Sequence, residues 1–132
     1  MSISQVETAR AEEVIRPPRV LVVEDEFLVA VLVEEMLAGL GYEVAQVAAT
    51  LEAAIDAASN SCFDVAILDI NLNGNQSAPV AEILAARNIP FIFATGYGPA
   101  GLDSRYADTP TLQKPFYEKD LKRMLDAVAE KA

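Results

Sequence analysis

The stretch Val65-Ala66-Ile67-Leu68-Asp69 determines the fold class that this sequence predicts. A short, uninterrupted apolar run is typical of a strand that is covered on both faces, and this run ends in a carboxylate. A second such run, Val20-Leu21-Val22-Val23, is followed directly by acidic residues. Strands covered on both faces belong to parallel sheets flanked by helices, so the two runs predict an α/β domain.

The rest of the chain alternates between extended and helical patterns. Strands are predicted over residues 20–23, 42–47, 65–69, 89–94 and 111–114. Helices are predicted over residues 27–40, 50–59, 77–87 and 117–129, with a weaker helix after Gly101. Thr50 is the predicted N-cap of the second helix. Repeated strand–helix units require parallel strands joined by crossovers, which predicts a doubly wound five-stranded parallel sheet with helices on both faces.

The composition limits the possible functions. With 132 residues, of which 52% are hydrophobic, the chain can build one packed domain. Its formal net charge of −10 argues against direct binding to nucleic acid or to an anionic membrane surface. The absence of histidine excludes Ser-His-Asp and Cys-His catalysis, histidine metal sites and a phosphohistidine. A single cysteine, Cys62, excludes an internal disulfide and a cysteine zinc site.

Residues 1–18 are mostly polar and end in Pro17-Pro18. They are predicted to be a mobile or loosely docked extension of the domain at residues 19–132. The longest apolar run, residues 27–33, has seven residues, whereas a membrane-spanning helix needs roughly 20. We therefore expect a cytoplasmic protein with no membrane insertion.

The first predicted helix, residues 27–40, is apolar around most of its circumference. Leu28, Leu32 and Met36 form one apolar stripe, and Val29, Val31 and Val33 accompany it. One stripe is expected in the core. The additional apolar face indicates either a partner surface or tight packing against the last helix, and both interpretations stay open.

Polar residues with complementary chemistry follow four of the predicted strands. They are Glu24-Asp25-Glu26 after the first, Asp69 after the third, Thr95 after the fourth and Lys114 at the end of the fifth. The carboxyl ends of parallel strands meet at one edge of the sheet, where ligands of such folds bind. Clustered carboxylates repel one another unless a cation joins them, and oxygen ligands suit Mg²⁺.

The remaining groups at this edge suit a phosphoryl group. Lys114 provides a positive charge and Thr95 a short donor for phosphoryl oxygens. Asp69, at the tip of a buried strand, is the candidate nucleophile, since a carboxylate can attack phosphorus and form an aspartyl phosphate. Each residue alone has an ordinary structural interpretation, such as a helix N-terminal acid or a surface lysine. Their combination at successive strand ends favours a phosphoacceptor site.

Four short motifs lie at these strand ends. They are Val22-Val23-Glu24-Asp25-Glu26, residues 65–71 around Asp69, Ala94-Thr95-Gly96 and Lys114-Pro115-Phe116. Together they resemble the receiver domains of bacterial two-component response regulators, and the resemblance covers residues 19–131. It implies a flavodoxin-like sheet with strand order 2-1-3-4-5, in agreement with the strand–helix pattern.

The resemblance also implies a role for each acid. Asp69 is the implied acceptor of a phosphoryl group from the phosphohistidine of a sensor histidine kinase or phosphotransfer protein. Asp25 and Asp69 are the implied side-chain ligands of Mg²⁺, with Asn71 adding its backbone carbonyl. Glu24 is expected to act largely through metal-bound water.

Two further roles follow from the same resemblance. Thr95 and Lys114 are expected to bind phosphoryl oxygens. The bond before Pro115 is commonly cis in the family, which would direct Lys114 into the site.

The sequence departs from the usual receiver pattern at two places. Thr111, three residues before Lys114, occupies a position that is usually an aromatic switch residue. Instead, residues 90–97 read PFIFATGY and resemble the PFxFATGY motif of an atypical subclass, in which Tyr97 and the loop after it are expected to carry the signal. Asn73, followed by Gly74, occupies the position four residues after Asp69 where receivers often have proline, which predicts a more mobile loop.

We expect a stand-alone receiver that signals by protein contact or acts as a phosphorelay intermediate or phosphate sink. Only Glu130-Lys131-Ala132 follows the last predicted helix, so no DNA-binding, cyclase or methylesterase domain is expected. No separate substrate turnover is expected either. The alternative is a receiver-like module that binds proteins without phosphorylation.

Two other classes share this architecture or chemistry. A flavin-binding domain requires a loop that binds phosphate after the first strand, where Glu24-Asp25-Glu26 would repel it. A haloacid-dehalogenase-like phosphohydrolase carries its nucleophile after the first strand, with a second aspartate two residues later. This sequence lacks that pattern, so both classes rank low.

Overall fold

The computed structural model describes residues 17–96 and 104–131. Most of the predicted extension over residues 1–18 lies outside these ranges, and so does Tyr97. The predicted weak helix after Gly101 begins outside them, and the described part of this region contains a 3₁₀ turn at Ser104–Tyr106.

Seven strands and four α-helices make up the described residues. The strands are β1 (Arg19–Val23), β2 (Glu43–Ala48), β3 (Val65–Asp69), β4 (Asn71–Leu72), β5 (Asn75–Gln76), β6 (Phe91–Thr95) and β7 (Thr111–Gln113). The helices are α1 (Phe27–Gly39), α2 (Leu51–Asn60), α3 (Ala78–Ala86) and α4 (Glu118–Lys131). The Thr50 side chain accepts a hydrogen bond of 3.1 Å from the Ala53 amide, so its predicted role as N-cap of α2 is confirmed.

Five of the strands form one parallel sheet in the order β2-β1-β3-β6-β7. This is the predicted 2-1-3-4-5 order, because β4 and β5 pair only with each other in a separate antiparallel hairpin. The hairpin occupies the segment that the sequence predicted as a plain loop. The crossovers align the carboxyl ends of β1, β3, β6 and β7 at one edge, which we call the carboxyl edge.

The core lies on both faces of the sheet. Leu21 and Val23 face the side packed by α2 and α3, where Phe93 is also buried. Val20 and Val22 face the side packed by α1 and α4. Because successive residues of a strand point to opposite faces, burial on both sides explains the uninterrupted apolar runs.

The face of helix α1 that packs against the core differs from the one that the spacing of its apolar residues predicted. Its buried residues are Ala30, Val33 and Leu37. Leu28 and Leu32 are 74% and 54% exposed, so packing against the last helix does not account for them. The extra apolar face therefore exists, and it is open to solvent among the described residues.

The opposite edge of the sheet, where the parallel strands begin, is tied together by Arg19. Its amide donates to Asp64 Oδ2 at 2.7 Å, and its guanidinium donates to the Cys62 carbonyl oxygen at 3.1 Å. The Cys62 side chain is exposed. These contacts join the start of β1 to the segment that leads into β3.

Candidate functional site

A cleft of about 360 Å³ opens at the carboxyl edge of the sheet. Asp25, Asp69, Asn71, Thr95 and Lys114 line it, so strands distant in sequence bring most of the predicted site residues together. The fold places them there because each follows or ends a parallel strand. Glu24 is buried beside this cleft, with 4% of its surface exposed.

The acids lie close enough to share a cation. Carboxylate oxygens of Glu24, Asp25 and Asp69 all lie within 4.8 Å of one another. Glu24 and Asp69 are buried, whereas Asp25 is half-buried. Three oxygen donors around one point, open to the cleft on the Asp25 side, fit a hard divalent cation such as Mg²⁺.

Lys114 lies between two of these acids. Its ammonium nitrogen Nζ donates to Glu24 Oε2 at 2.7 Å and to Asp69 Oδ2 at 3.1 Å. Only 17% of the lysine side chain is exposed, so the ion pairs are largely shielded from water. One positive charge thus serves two buried carboxylates.

Burial shifts the proton affinities of this group. It raises the pKa of Glu24 and that of Asp69 above their ordinary values of 4.5 and 3.8, and the charge of the neighbouring acids adds to the effect while Lys114 opposes it. Burial by itself would lower the pKa of Lys114. The hydrogen bond to Glu24 and the charge of Asp69 outweigh it and leave that pKa above 10.5, so the ammonium form is favoured.

Backbone contacts fix the position of Asp69. Its Oδ1 accepts a hydrogen bond of 3.2 Å from the Asn71 amide. The Ile70 amide donates to the Ala94 carbonyl at 3.1 Å, which continues the pairing of β3 with β6 past the carboxylate. The strand tip therefore cannot shift without breaking the sheet register around it.

The pairing of β6 with β7 brings Thr95 and Lys114 close together. Thr95 is buried, and its carbonyl accepts a 2.8 Å hydrogen bond from the Lys114 amide. The Lys114–Pro115 peptide bond is cis, as the resemblance implied. The hydroxyl-bearing and ammonium-bearing residues thus share one end of the β6–β7 pair.

The β4–β5 hairpin forms one wall of the cleft, and the sequence did not predict it. Its turn residues Asn73 and Gly74 have φ values of 50° and 88°, which suits a two-residue hairpin with both central residues left-handed. The Asn73 amide donates to Asp25 Oδ2 at 2.9 Å, and the Gly74 amide donates to Asn71 Oδ1 at 2.8 Å. The Asn-Gly dipeptide was the signal that could have revealed this turn.

Tyr106 is a structural residue whose role the sequence did not predict. Its ring packs edge-on against Phe91 and Phe93, with ring centroids 5.9 and 5.7 Å away. Thr111, at the usual aromatic position, donates its hydroxyl to the Thr109 carbonyl at 3.1 Å. Tyr97, the predicted switch residue, lies outside the described residues.

An apolar surface adjoins the cleft. Phe27 and Leu28, in the first turn of α1, are 78% and 74% exposed, and Leu32 lies one turn further along. A groove lined by Leu32, Pro115 and Phe116 runs from this surface to Lys114. The exposed part of α1 is therefore continuous with the cleft.

Fold and site together define a class of protein, and sequence comparison gives the same class. The chain belongs to the response regulator receiver domain family, whose model matches residues 20–126. Receiver domains are phosphoacceptor signalling modules of two-component systems, and they bind Mg²⁺ through acidic residues.

One relative is a mycobacterial regulatory protein. The transcriptional regulatory protein PdtaR of Mycobacterium tuberculosis is 31% identical over 109 residues, which are 80% of this chain and 53% of PdtaR. This chain thus spans about half the length of that relative.

Two solved structures are similar over most of their length. SdrG of Sphingomonas melonis Fr1 is 42% identical with a TM-score of 0.78, covering 86% of this chain and 98% of SdrG. The receiver domain of the response regulator PhyR from Erythrobacter litoralis is 28% identical with a TM-score of 0.77, covering 89% and 93% of the two chains. These likenesses confirm the predicted family and fold.

Among residues 17–96 and 104–131, no helix combines the length and the apolar character that a membrane-spanning helix needs.

Proposed function

We propose that this domain accepts a phosphoryl group on Asp69 from a histidine kinase or phosphotransfer protein, with Mg²⁺ bound at the acids. The phosphorylated domain then signals by protein contact or passes the group on as a phosphorelay intermediate or phosphate sink. The observation that carries the proposal is the convergence of Asp69, Thr95 and Lys114 on one cleft, with Lys114 Nζ 3.1 Å from Asp69 Oδ2.

The proposed reaction is a direct transfer between side chains. A carboxylate oxygen of Asp69 forms a bond to phosphorus while the phosphorus–nitrogen bond of the donor's phosphohistidine breaks. The bonding electrons leave with the donor imidazole. Lys114 then exchanges its contact with Asp69 for phosphoryl oxygens, and Thr95 donates its hydroxyl to another. Positioning and charge neutralisation supply most of the rate in such transfers.

The acids of the cleft would hold Mg²⁺. Asp25 and Asp69 would provide carboxylate oxygens and Asn71 its backbone carbonyl, with Glu24 acting through water. When bound, the ion supplies positive charge against which the incoming phosphoryl oxygens are stabilised. This chain's own contribution is to keep the carboxylates close together, where their mutual repulsion favours cation binding.

The exposed end of α1 is the proposed docking surface for the phosphodonor. Phe27, Leu28 and Leu32 form an open apolar surface, and the groove beside them leads to Lys114. A partner helix seated there would bury apolar area and bring its phosphohistidine to the cleft. With such a donor, we expect the domain to act in the cytoplasm.

The proposal is tested by intact mass after incubation with Mg²⁺ and acetyl phosphate. We expect the wild-type chain to gain one phosphoryl group, and we expect no gain for Asp69→Asn or in EDTA. Gain by Asp69→Asn would show that another residue is the acceptor.

A wild-type chain that gains nothing is examined further by NMR titration with Mg²⁺. Chemical-shift changes around Asp69 would support the phosphoacceptor function, since some receivers accept the phosphoryl group only from a kinase. No shifts would favour the phosphorylation-independent binding module, for which the open face of α1 is the candidate surface.

A further inference from the structure

We propose that Asn73 is a positioning residue for the metal site, acting through its main-chain N–H on the carboxylate of Asp25. The inference rests on the proposed Mg²⁺ site and adds to it the β4–β5 hairpin as a wall that sets the affinity for the ion. The decisive contact is the hydrogen bond of 2.9 Å from the Asn73 amide to Asp25 Oδ2.

The hairpin can hold this amide in place because it is fixed at its base. Leu72 is 1% exposed and anchors β4 in the core beside α3. Across the turn, Leu72 pairs with Asn75, and Asn71 pairs with Gln76. The side-chain oxygen of Asn71 also accepts a hydrogen bond of 2.8 Å from the Gly74 amide, which stabilises the turn.

The direction of the Asn73 amide depends on an unusual backbone conformation. Asn73 has φ 50°, a left-handed value that asparagine tolerates better than most residues, and Gly74 has φ 88°. A residue confined to negative φ could not form this turn. The Asn-Gly pair therefore provides the backbone conformation that the contact with Asp25 requires, and its role is not only to make the loop flexible.

Asp25 depends on this contact. Within residues 17–96 and 104–131, the Asp25 carboxylate accepts a hydrogen bond from the Asn73 amide alone, whereas Asp69 accepts from both the Asn71 amide and Lys114. Without the hairpin, a half-buried Asp25 would rotate freely at the mouth of the cleft. Partners that orient a metal-binding side chain raise the affinity for the metal, and their loss typically costs roughly 10–100-fold.

The coupling is reciprocal. If the hairpin orients Asp25 for the ion, then the bound ion must stabilise the hairpin by the same factor. Mg²⁺ should accordingly slow hydrogen exchange at the Asn73 amide.

The test compares two substitutions at the same residue. Asn73→Pro removes the N–H and confines φ to negative values, whereas Asn73→Gly retains the N–H and tolerates the left-handed φ. Titration with Mg²⁺, followed by calorimetry, should give a dissociation constant roughly tenfold higher for the proline variant. The glycine variant should stay close to wild type. Equal affinity of the proline variant and wild type would overturn the inference.

A second measurement does not depend on the folding of the proline variant. Hydrogen exchange at the Asn73 amide is followed by NMR in the wild-type chain and in Asp25→Ala, both free of metal. The inference expects faster exchange in Asp25→Ala and slower exchange in the wild type on adding Mg²⁺.

The outcomes separate this inference from the proposed function. Unchanged exchange in both comparisons contradicts the role of Asn73 alone, provided that the wild-type chain binds Mg²⁺. A wild-type chain that binds no Mg²⁺ overturns both the proposed metal site and this inference.

Discussion

Lys114 Nζ lies 2.7 Å from Glu24 Oε2, although the two residues are 90 positions apart and their strands β7 and β1 are separated in the sheet by β3 and β6. The lysine reaches past the intervening strand ends to a buried carboxylate. One ammonium group therefore pairs with both Glu24 and Asp69 when no other cation is bound. We expect the stability of the metal-free domain to depend on this arrangement.

Replacing Lys114 with methionine keeps most of the side-chain volume and removes the charge. We expect the free energy of unfolding in EDTA to fall by about 3 kcal/mol, because two buried acids lose their partner. Urea unfolding followed by circular dichroism measures the loss, and Mg²⁺ should restore part of it. Lys122→Met is the matched control, since Lys122 pairs with Asp126 on an exposed face of α4 and its loss should have little effect on stability. Equal losses would contradict this account.

Replacing Asp69 with asparagine should stabilise the metal-free domain at pH 7. The pKa of Asp69 is raised in the folded state, so the folded chain binds the proton more tightly than the unfolded chain does. Stability from this group is then present at low pH and is lost as pH rises through the folded pKa. We therefore expect the free energy of unfolding of the asparagine variant at pH 7 to exceed that of the wild-type chain.

The same gain should shrink as the pH is lowered, because the wild-type carboxyl then becomes neutral as well. Urea unfolding in EDTA at several pH values between neutral and acidic measures the difference. Asp126→Asn, on the exposed face of α4, controls for the general effect of removing negative charge from an acidic chain. A gain that stays constant with pH would show that burial of the Asp69 charge is not its cause.

Replacing Leu28 with glutamine tests the proposed docking surface. Since Leu28 is 74% exposed, the free energy of unfolding should change by no more than about 0.5 kcal/mol. Labelling by acetyl phosphate should stay at the wild-type rate. Transfer from a histidine kinase that labels the wild-type chain should slow severalfold. Ala86→Gln, at an exposed position of α3 on the other side of the sheet, should leave both reactions unchanged. Unimpaired transfer to the Leu28 variant would place the docking surface elsewhere.

Replacing Tyr106 with leucine tests the aromatic cluster. The variant loses two edge-on ring contacts, to Phe91 and Phe93, and should be about 1 kcal/mol less stable. Tyr106→Phe retains both ring contacts and should stay close to wild type. Thermal unfolding followed by circular dichroism distinguishes the variants. A loss of the same size in Tyr106→Phe would assign the effect to the hydroxyl group.

The fold was predictable because its signals are local. Apolar runs such as residues 65–68 report strands buried on both faces, and a parallel sheet brings the following residues to one edge. This is why Asp69, Thr95 and Lys114 could be placed together without a structure. Their proposed roles remain predictions for the experiments above.

Other features depend on tertiary contacts that the sequence does not encode locally. Helix α1 is apolar around its circumference, so spacing could not determine that Val33 and Leu37 face the core while Leu28 faces solvent. The hairpin turn at Asn73 was predicted as part of a loop because its strands are only two residues long. Tyr106 sits in a 3₁₀ turn with no periodic pattern to reveal its partners.

Cys62 is a site for chemical labelling that lies away from the cleft at the carboxyl edge. It is the only cysteine of the chain, its thiol is exposed, and it precedes β3, whereas Asp69 is the last residue of that strand. The strand alone separates the two by roughly 13 Å. A maleimide dye or a surface tether at this thiol therefore reports on the domain, or immobilises it, with the cleft facing free solution.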